Sequence, residues 1–142
     1  MELIISTDKD RIDLEKVIRF LKDESYWAKS RSIEQIEKSI EHSFCFGLYD
    51  GERMIAFARV ITDYAVFAYL ADVFVDKPYR SKGYGKKLMD GIMHHPDLQM
   101  ISRWMLGTMD AHELYRPYGF NEVTNPKRWM EYMPKGSEII PR

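Results

Sequence analysis

Apolar positions recur along this chain with two periods, and each period predicts its own elements. Residues 3–6 (LIIS) form a short apolar run that reads as a strand. From Asp10 the pattern turns helical, with Leu14, Val17, Ile18 and Leu21 at i, i+3, i+4 and i+7 and charges between them. A second helix starts at Ser32. Gln35, three residues on, completes a capping box, and Ile33, Ile36 and Ile40 make the apolar stripe. Two strands follow at 44–50 (FCFGLYD) and 53–62 (RMIAFARVIT), joined by an Asp50-Gly51 pair that signals a tight hairpin turn. The run 66–75 (VFAYLADVFV) is almost continuously apolar, so both faces of that strand should be covered. Residues 83–95 read as a helix with Leu88, Met89 and Ile92 inward, stopped by Pro96. Residues 102–108 read as a strand, and a short helix then begins with Asp110 near its cap and ends at Pro117 and Gly119. Residues 120–123 (FNEV) and 128–133 (RWMEYM) are late strand candidates. This mixed order predicts an α/β or α+β fold with helices on both faces of one sheet.

Composition narrows the setting. A chain of 142 residues suits a single domain spanning 1–142. The 21 Lys plus Arg nearly balance 22 Asp plus Glu, so no global field draws the chain to nucleic acid or to an anionic membrane. No apolar run reaches the roughly 18 residues of a membrane span. The start MELIISTDKD lacks the basic, then long apolar, character of a signal peptide, and Cys45 has no second cysteine to pair with. The expectation is a reducing, cytoplasmic setting. His42, His94, His95 and His112 lack metal-ligand spacing, so no metal is expected.

Chemistry concentrates at residues 79–85 (YRSKGYG), where a strand passes through a basic glycine turn into a helix. A helix N-terminus presents unpaired N–H groups at the positive end of its dipole. Glycine lets a ligand approach the backbone closely. The turn is therefore a candidate anion cradle suited to a diphosphate, with Arg80, Lys82, Lys86 and Lys87 adding charge. The alternative reading is a turn that uses glycine for geometry alone. G-x-x-x-x-G-K-[ST] is absent, and the two glycines do not complete a dinucleotide fingerprint.

An apolar strand, then Arg80-x-x-Gly83-x-Gly85, then an amphipathic helix, resembles the acetyl-CoA motif of the GNAT superfamily of N-acetyltransferases. Downstream, LGTMDAHELYRPYGF (106–120), with Ala111, Leu114-Tyr115 and Gly119-Phe120, is similar to that family's second signature. The resemblance spans about residues 44–124. Ser81 stands where the family commonly has Gly, and Asp110 where many members carry Asn. The resemblance implies a mixed, mostly antiparallel sheet of about six to seven strands. It also implies direct acyl transfer from acetyl-CoA, the co-substrate, to a primary amine of a small molecule, or less readily of a peptide.

The site residues follow from the same resemblance. The pantetheine arm lies along Val73, Phe74 and Val75, and the diphosphate sits on the turn, with Arg80, Ser81, Lys82, Gly83, Tyr84, Gly85 and Lys86 as its contacts. Tyr115 matches the family's frequent general acid, with packing in the core as its bland alternative and Tyr118 as its nearest rival. From the residues themselves, Asp72 is a carboxylate inside an apolar strand. It reads equally as a base whose pKa burial raises or as one half of an ion pair. Tyr26, Trp27, Arg31 and Tyr64 (with Asp63) are candidates for an aromatic, acidic wall that suits a cationic amine. Two further classes stay open: a non-catalytic acyl-CoA-binding or sensing module, and a phosphate-binding regulatory domain. The tail offers a route to a homodimer by self-pairing of its C-terminal strand. Sequence alone leaves the acceptor, the acyl group and the oligomeric state undecided.

Overall fold

The computed structural model describes residues 2–134. One sheet contains β1 (Leu3–Ser6), β2 (Phe44–Asp50), β3 (Arg53–Thr62), β4 (Phe67–Val75) and β5 (Arg103–Leu106), arranged in chain order. Neighbours are antiparallel through β4, whereas β4 and β5 run parallel. A parallel pair needs a crossover, and the helix α3 (Tyr84–Met93) supplies it. Helices α1 (Leu14–Arg19) and α2 (Ile33–Glu41) lie between β1 and β2, and α4 (His112–Tyr115) follows β5.

The two faces of the sheet build separate cores, as the expectation of helices on both faces requires. On one face Phe46, Leu48, Ala56, Ala58 and Val60 pack with Leu88, Met89 and Ile92 of α3. On the other, Cys45, Tyr49, Phe57 and Phe74 pack with Val17 and Leu21 and with Ile36 and Ile40 of α2. The capping box at Ser32 forms as expected, with both reciprocal hydrogen bonds. The hairpin turn between β2 and β3 forms too, with Gly51 at φ 58. Behind α1 the helix widens to a π turn over Phe20–Glu24, closed by the Ser25 N–H on the Phe20 carbonyl at 2.9 Å.

The sheet has five strands among the described residues, not six to seven. Neither late strand candidate is one. Phe120 turns inward and sets its ring edge-on to Trp104 and Tyr115. Pro126–Arg128 forms a 3-10 turn, where proline's missing N–H costs nothing, and residues 129–134 are irregular. Asp110 is not the cap of α4; that position is Ala111, whose N–H donates to Thr108 Oγ1 at 3.0 Å. No helix among the described residues is long and apolar enough to cross a membrane.

Candidate active site

The site begins with a fault in β4. Phe57 pairs with Phe74 and Arg59 with Ala71, so Asp72 and Val73 together stand opposite Ala58. Such a bulge bends its strand. Asp72 takes φ 55, a left-handed conformation that aspartate accepts more readily than most residues. Parallel pairing with β5 stops at Leu70 and Leu106, and the two strands part. A recess of about 90 Å³ occupies the fork. Its walls include Tyr69, Val73, Leu106, Thr108, Asp110 and Tyr115.

Asp72 is buried at the root of this fork and fully engaged. Arg59 Nε donates to Oδ2 at 2.7 Å. Arg31 Nη1 donates to Oδ1 and Oδ2 at 3.0 and 2.8 Å. Trp27 Nε1 donates to Oδ1 at 2.8 Å. Burial by itself pushes the carboxyl upward, but the Arg59 and Arg31 guanidiniums, with the hydrogen bonds from Arg59 and Trp27, override it and hold the pKa below its ordinary value. This corrects the expectation of a raised pKa. Of the two readings of Asp72, the ion pair is the one observed. A carboxylate clamped by two cations is a weak base.

The candidate acceptor wall divides. Tyr26 and Trp27 line the recess, with their rings edge-on at 5.0 Å. The Ser25 hydroxyl sets that segment, donating to the Leu21 carbonyl and accepting from the Ala28 N–H. Tyr26 also reaches across the fork, where its hydroxyl accepts from the Met109 N–H at 3.1 Å. Arg31 is spent on Asp72 and does not line the recess. Tyr64 lies elsewhere. It sits in the β3–β4 turn with its ring against Phe44, because the strand carries the turn away from the bulge. Asp63 closes that same turn by accepting from the Ala65, Val66 and Phe67 N–H groups.

Tyr115 reaches the recess from α4 and is 8% exposed. Burial, then the neighbouring Tyr26 and Asp110, push its phenol up to about 12, so it stays protonated at neutral pH. Its rival Tyr118 does not line the fork. The Tyr118 hydroxyl is held against α3 by the Asp90 carboxylate and the Lys86 carbonyl.

Beyond the bulge, β4 leads through Val73, Phe74 and Val75 to the basic turn. Phe74 offers only backbone to a ligand, because its ring stacks on Phe20 at 4.1 Å. Val75 is fixed by Arg80, whose Nε donates to its carbonyl at 2.8 Å. That bond ties the exposed Arg80 back to β4, with Glu24 3.6 Å from its other end. Ser81 and Gly83 take φ 63 and 82, and no side chain caps α3. The Gly85 and Lys86 N–H groups in the first turn therefore have no intrahelical acceptor and no side-chain cap. A Cβ placed on Gly83 would meet nothing within 4 Å, so the cradle opens outward. Lys82, Lys86 and Lys87 are at or near this opening, and Tyr84 packs toward Tyr79. The turn fits an anionic group held by backbone N–H.

Sequence reasoning passed over Arg59 and Thr108. Arg59 carried a signal: a cation inside the apolar run of β3, as conspicuous as Asp72 in β4. Two opposite charges in adjacent apolar strands announce their own pairing.

Against known proteins, residues 14–120 match the family model for the acetyltransferase (GNAT) family. The chain belongs to that family. A Xanthomonas campestris pv. campestris protein described as an acetyltransferase of the GNAT family is 46% identical, at TM-score 0.89 over 94% of this chain and 95% of that one. An acetyltransferase from Clostridium acetobutylicum, solved with acetyl-CoA, has 15% identity and TM-score 0.68 over 93% and 95%. The ribosomal-protein-S18-alanine N-acetyltransferase of Escherichia coli has 22% identity and TM-score 0.65 over 87% and 80%. At those identities the last two share the fold. No curated protein matches the sequence.

Proposed function

We propose that this protein is an N-acetyltransferase that takes its acetyl group from acetyl-CoA and delivers it to a primary amine of a small molecule. The observation that carries the reading is the fork itself. It opens where a β-bulge ends the β4–β5 pairing, holds a protonated Tyr115, and leads directly to a helix N-terminus built for an anion. The relative solved with acetyl-CoA supports the choice of donor.

The thioester supplies an activated acyl carbon. The residues of this chain do the rest. The β5-facing edge of β4 beyond Leu70 carries no strand among the described residues, so it can receive an extended amide-bearing arm as a strand would. Amides around Ser81 to Lys86 hold the diphosphate, with the lysines adding screened charge. The amine must enter the reaction unprotonated. Tyr26 and Trp27 form its wall, and Asp110, which is in no ion pair among the described residues, is the carboxylate that can attract its ammonium form. Its excess proton leaves to water, because Asp72 is committed to its arginines. The new C–N bond forms as the C–S bond breaks, and a proton from the amine ends on sulfur. A thiol titrates near 8.5 and Tyr115 near 12, so complete transfer from the phenol is uphill. Tyr115 therefore stabilises the departing thiolate mainly as a hydrogen-bond donor.

The test is a panel of small amines with acetyl-CoA, reading free thiol against time. Amine-dependent thiol release supports the assignment. Tight acetyl-CoA binding by calorimetry with no release for any amine supports a binding module instead.

A further inference from the structure

The recess in the β4–β5 fork has an acidic and aromatic lining. Its ionisable groups are Asp72, Asp110, Tyr26, Tyr69 and Tyr115, and no Lys, Arg or His joins them among the described residues. Asp72 is already neutralised by Arg31 and Arg59. Asp110 is different. It is exposed, is in no ion pair among the described residues, and its charge is felt at the Tyr115 phenol. The rings of Tyr26, Trp27 and Tyr69 complete the lining, and Trp27 is held there by its bond to Asp72. Aromatic faces attract ammonium groups. A carboxylate or phosphate on the acceptor would find no counter-charge here. At about 90 Å³ the recess has the volume of roughly three waters, which suits a slim chain end rather than a sugar ring.

The attacking nitrogen needs its lone pair. A carboxylate that paired with that nitrogen as an ammonium would hold it in the form that cannot attack. Asp110 therefore serves transfer best by holding a second nitrogen. We infer, on the acetyl-transfer reading above, that the acceptor is an unbranched α,ω-diamine, with Asp110 holding one end as ammonium while the other end, neutral, attacks the thioester. Like charges a few bonds apart disfavour one another, so a diamine gives up its first proton more readily than a monoamine does. Asp110 fixes which end keeps its charge, and the rings cover the methylenes between. The neutral nitrogen forms the C–N bond as the C–S bond breaks, its extra proton ends on sulfur, and the products are a thiol and a singly acetylated diamine. Asp110 is thus a specificity residue rather than a base.

Matched acceptors with about three to five carbons between their ends test the inference: the α,ω-diamine, the n-alkylamine and the ω-amino acid of each length. Thiol release with acetyl-CoA gives kcat/KM, and calorimetry on the CoA-saturated protein gives acceptor affinity without turnover. The diamine should exceed the alkylamine by about 10-fold or more in both, the usual worth of a hydrogen bond between charged groups, and the amino acid should be poorest. Asp110→Asn should erase most of that margin through the diamine KM, and Asp110→Glu should retain most of it. Glu34→Gln, at an exposed position on α2 outside the recess, should retain all of it. Alkylamines or amino acids accepted as well as diamines, or a margin that survives Asp110→Asn, overturn the inference and leave acetyl transfer standing. No thiol release from any amine overturns both.

Discussion

Substituting Asp72 tests whether the fork is held open by one buried carboxylate. Asp72→Asn removes the charge but keeps a short polar side chain that tolerates φ 55. Arg59, 7% exposed, would keep neutral acceptors, among them Ser43 Oγ, which accepts from its Nη1 at 3.1 Å, but no counter-charge. Removing one partner of a buried ion pair typically costs about 3–5 kcal/mol, because the remaining cation stays buried and unpaired. Total stability for such domains is about 5–15 kcal/mol, so the loss is large. In thermal unfolding it corresponds to a fall in Tm on the order of 10 °C. Asp72→Ala should lose roughly 1–2 kcal/mol more, since alanine has no side chain to offset a left-handed backbone. The assay is urea denaturation followed by circular dichroism, with parallel m values confirming that the same surface unfolds.

The pH dependence has a definite sign. The folded-state pKa of Asp72 is depressed. The ion pair therefore contributes fully above the unfolded value of about 3.9, and its contribution is lost as pH falls through the lower folded value. Wild-type stability should drop below about pH 4, and the Asp72→Asn profile should be flatter there. A double substitution, Arg59→Met with Asp72→Asn, should recover part of the loss by removing the stranded cation. If Asp72→Asn unfolds within about 0.5 kcal/mol of wild type, the reasoning fails, and the bulge must be held by packing alone.

Tyr115→Phe should lower kcat by about 10²-fold with little change in acetyl-CoA affinity, measured where chemistry limits the rate; Tyr118→Phe should be nearly silent in turnover because its hydroxyl is committed to α3. With the Tyr115 pKa near 12, no alkaline loss of activity from this group is expected below about pH 11, and an earlier loss that persists in Tyr115→Phe would identify another titrating group. Gly83→Val should weaken acetyl-CoA binding sharply and also cost stability, since φ 82 is hostile to a branched side chain; calorimetry and unfolding separate the two effects, and unimpaired binding in a folded variant would remove the cradle assignment. Burial pushes the Cys45 thiol up to about 11, so alkylation at pH 8 should be slow in the native protein and fast in urea.

The parts legible in the sequence are those with local causes. β2 and β3 occupy the expected residues, and β4 starts one residue later than expected, because apolar runs and an Asp-Gly turn fix them without reference to the rest of the chain. The Ser32 capping box is local for the same reason. The glycine turn and Tyr115 came from spacing and resemblance, and the fold brings their neighbourhoods to one end of the sheet. What failed depended on distant partners. Tyr64 looked close to the site because it precedes β4, yet the length of the strand separates them. Asp72 has its partners 13 and 41 residues away, so its pKa could not be signed from its own strand. RWMEYM has the composition of a strand, but a strand needs a partner to pair with, and this stretch pairs with none among the described residues.

Asp72 links these failures to the function. Buried charge is costly, and a left-handed residue within a strand adds strain, so the two features persist together only if the surroundings fix them. Here the surroundings are Arg59 from β3 and Arg31 and Trp27 from the segment ahead of α2. The bulge ends the β4–β5 pairing and opens the recess; the same carboxylate anchors Trp27, one of its walls. Loss of the carboxylate should therefore degrade acceptor binding even where the protein remains folded. A rise in the acceptor KM of Asp72→Asn, with acetyl-CoA affinity retained, would distinguish this positioning role from a global loss of structure.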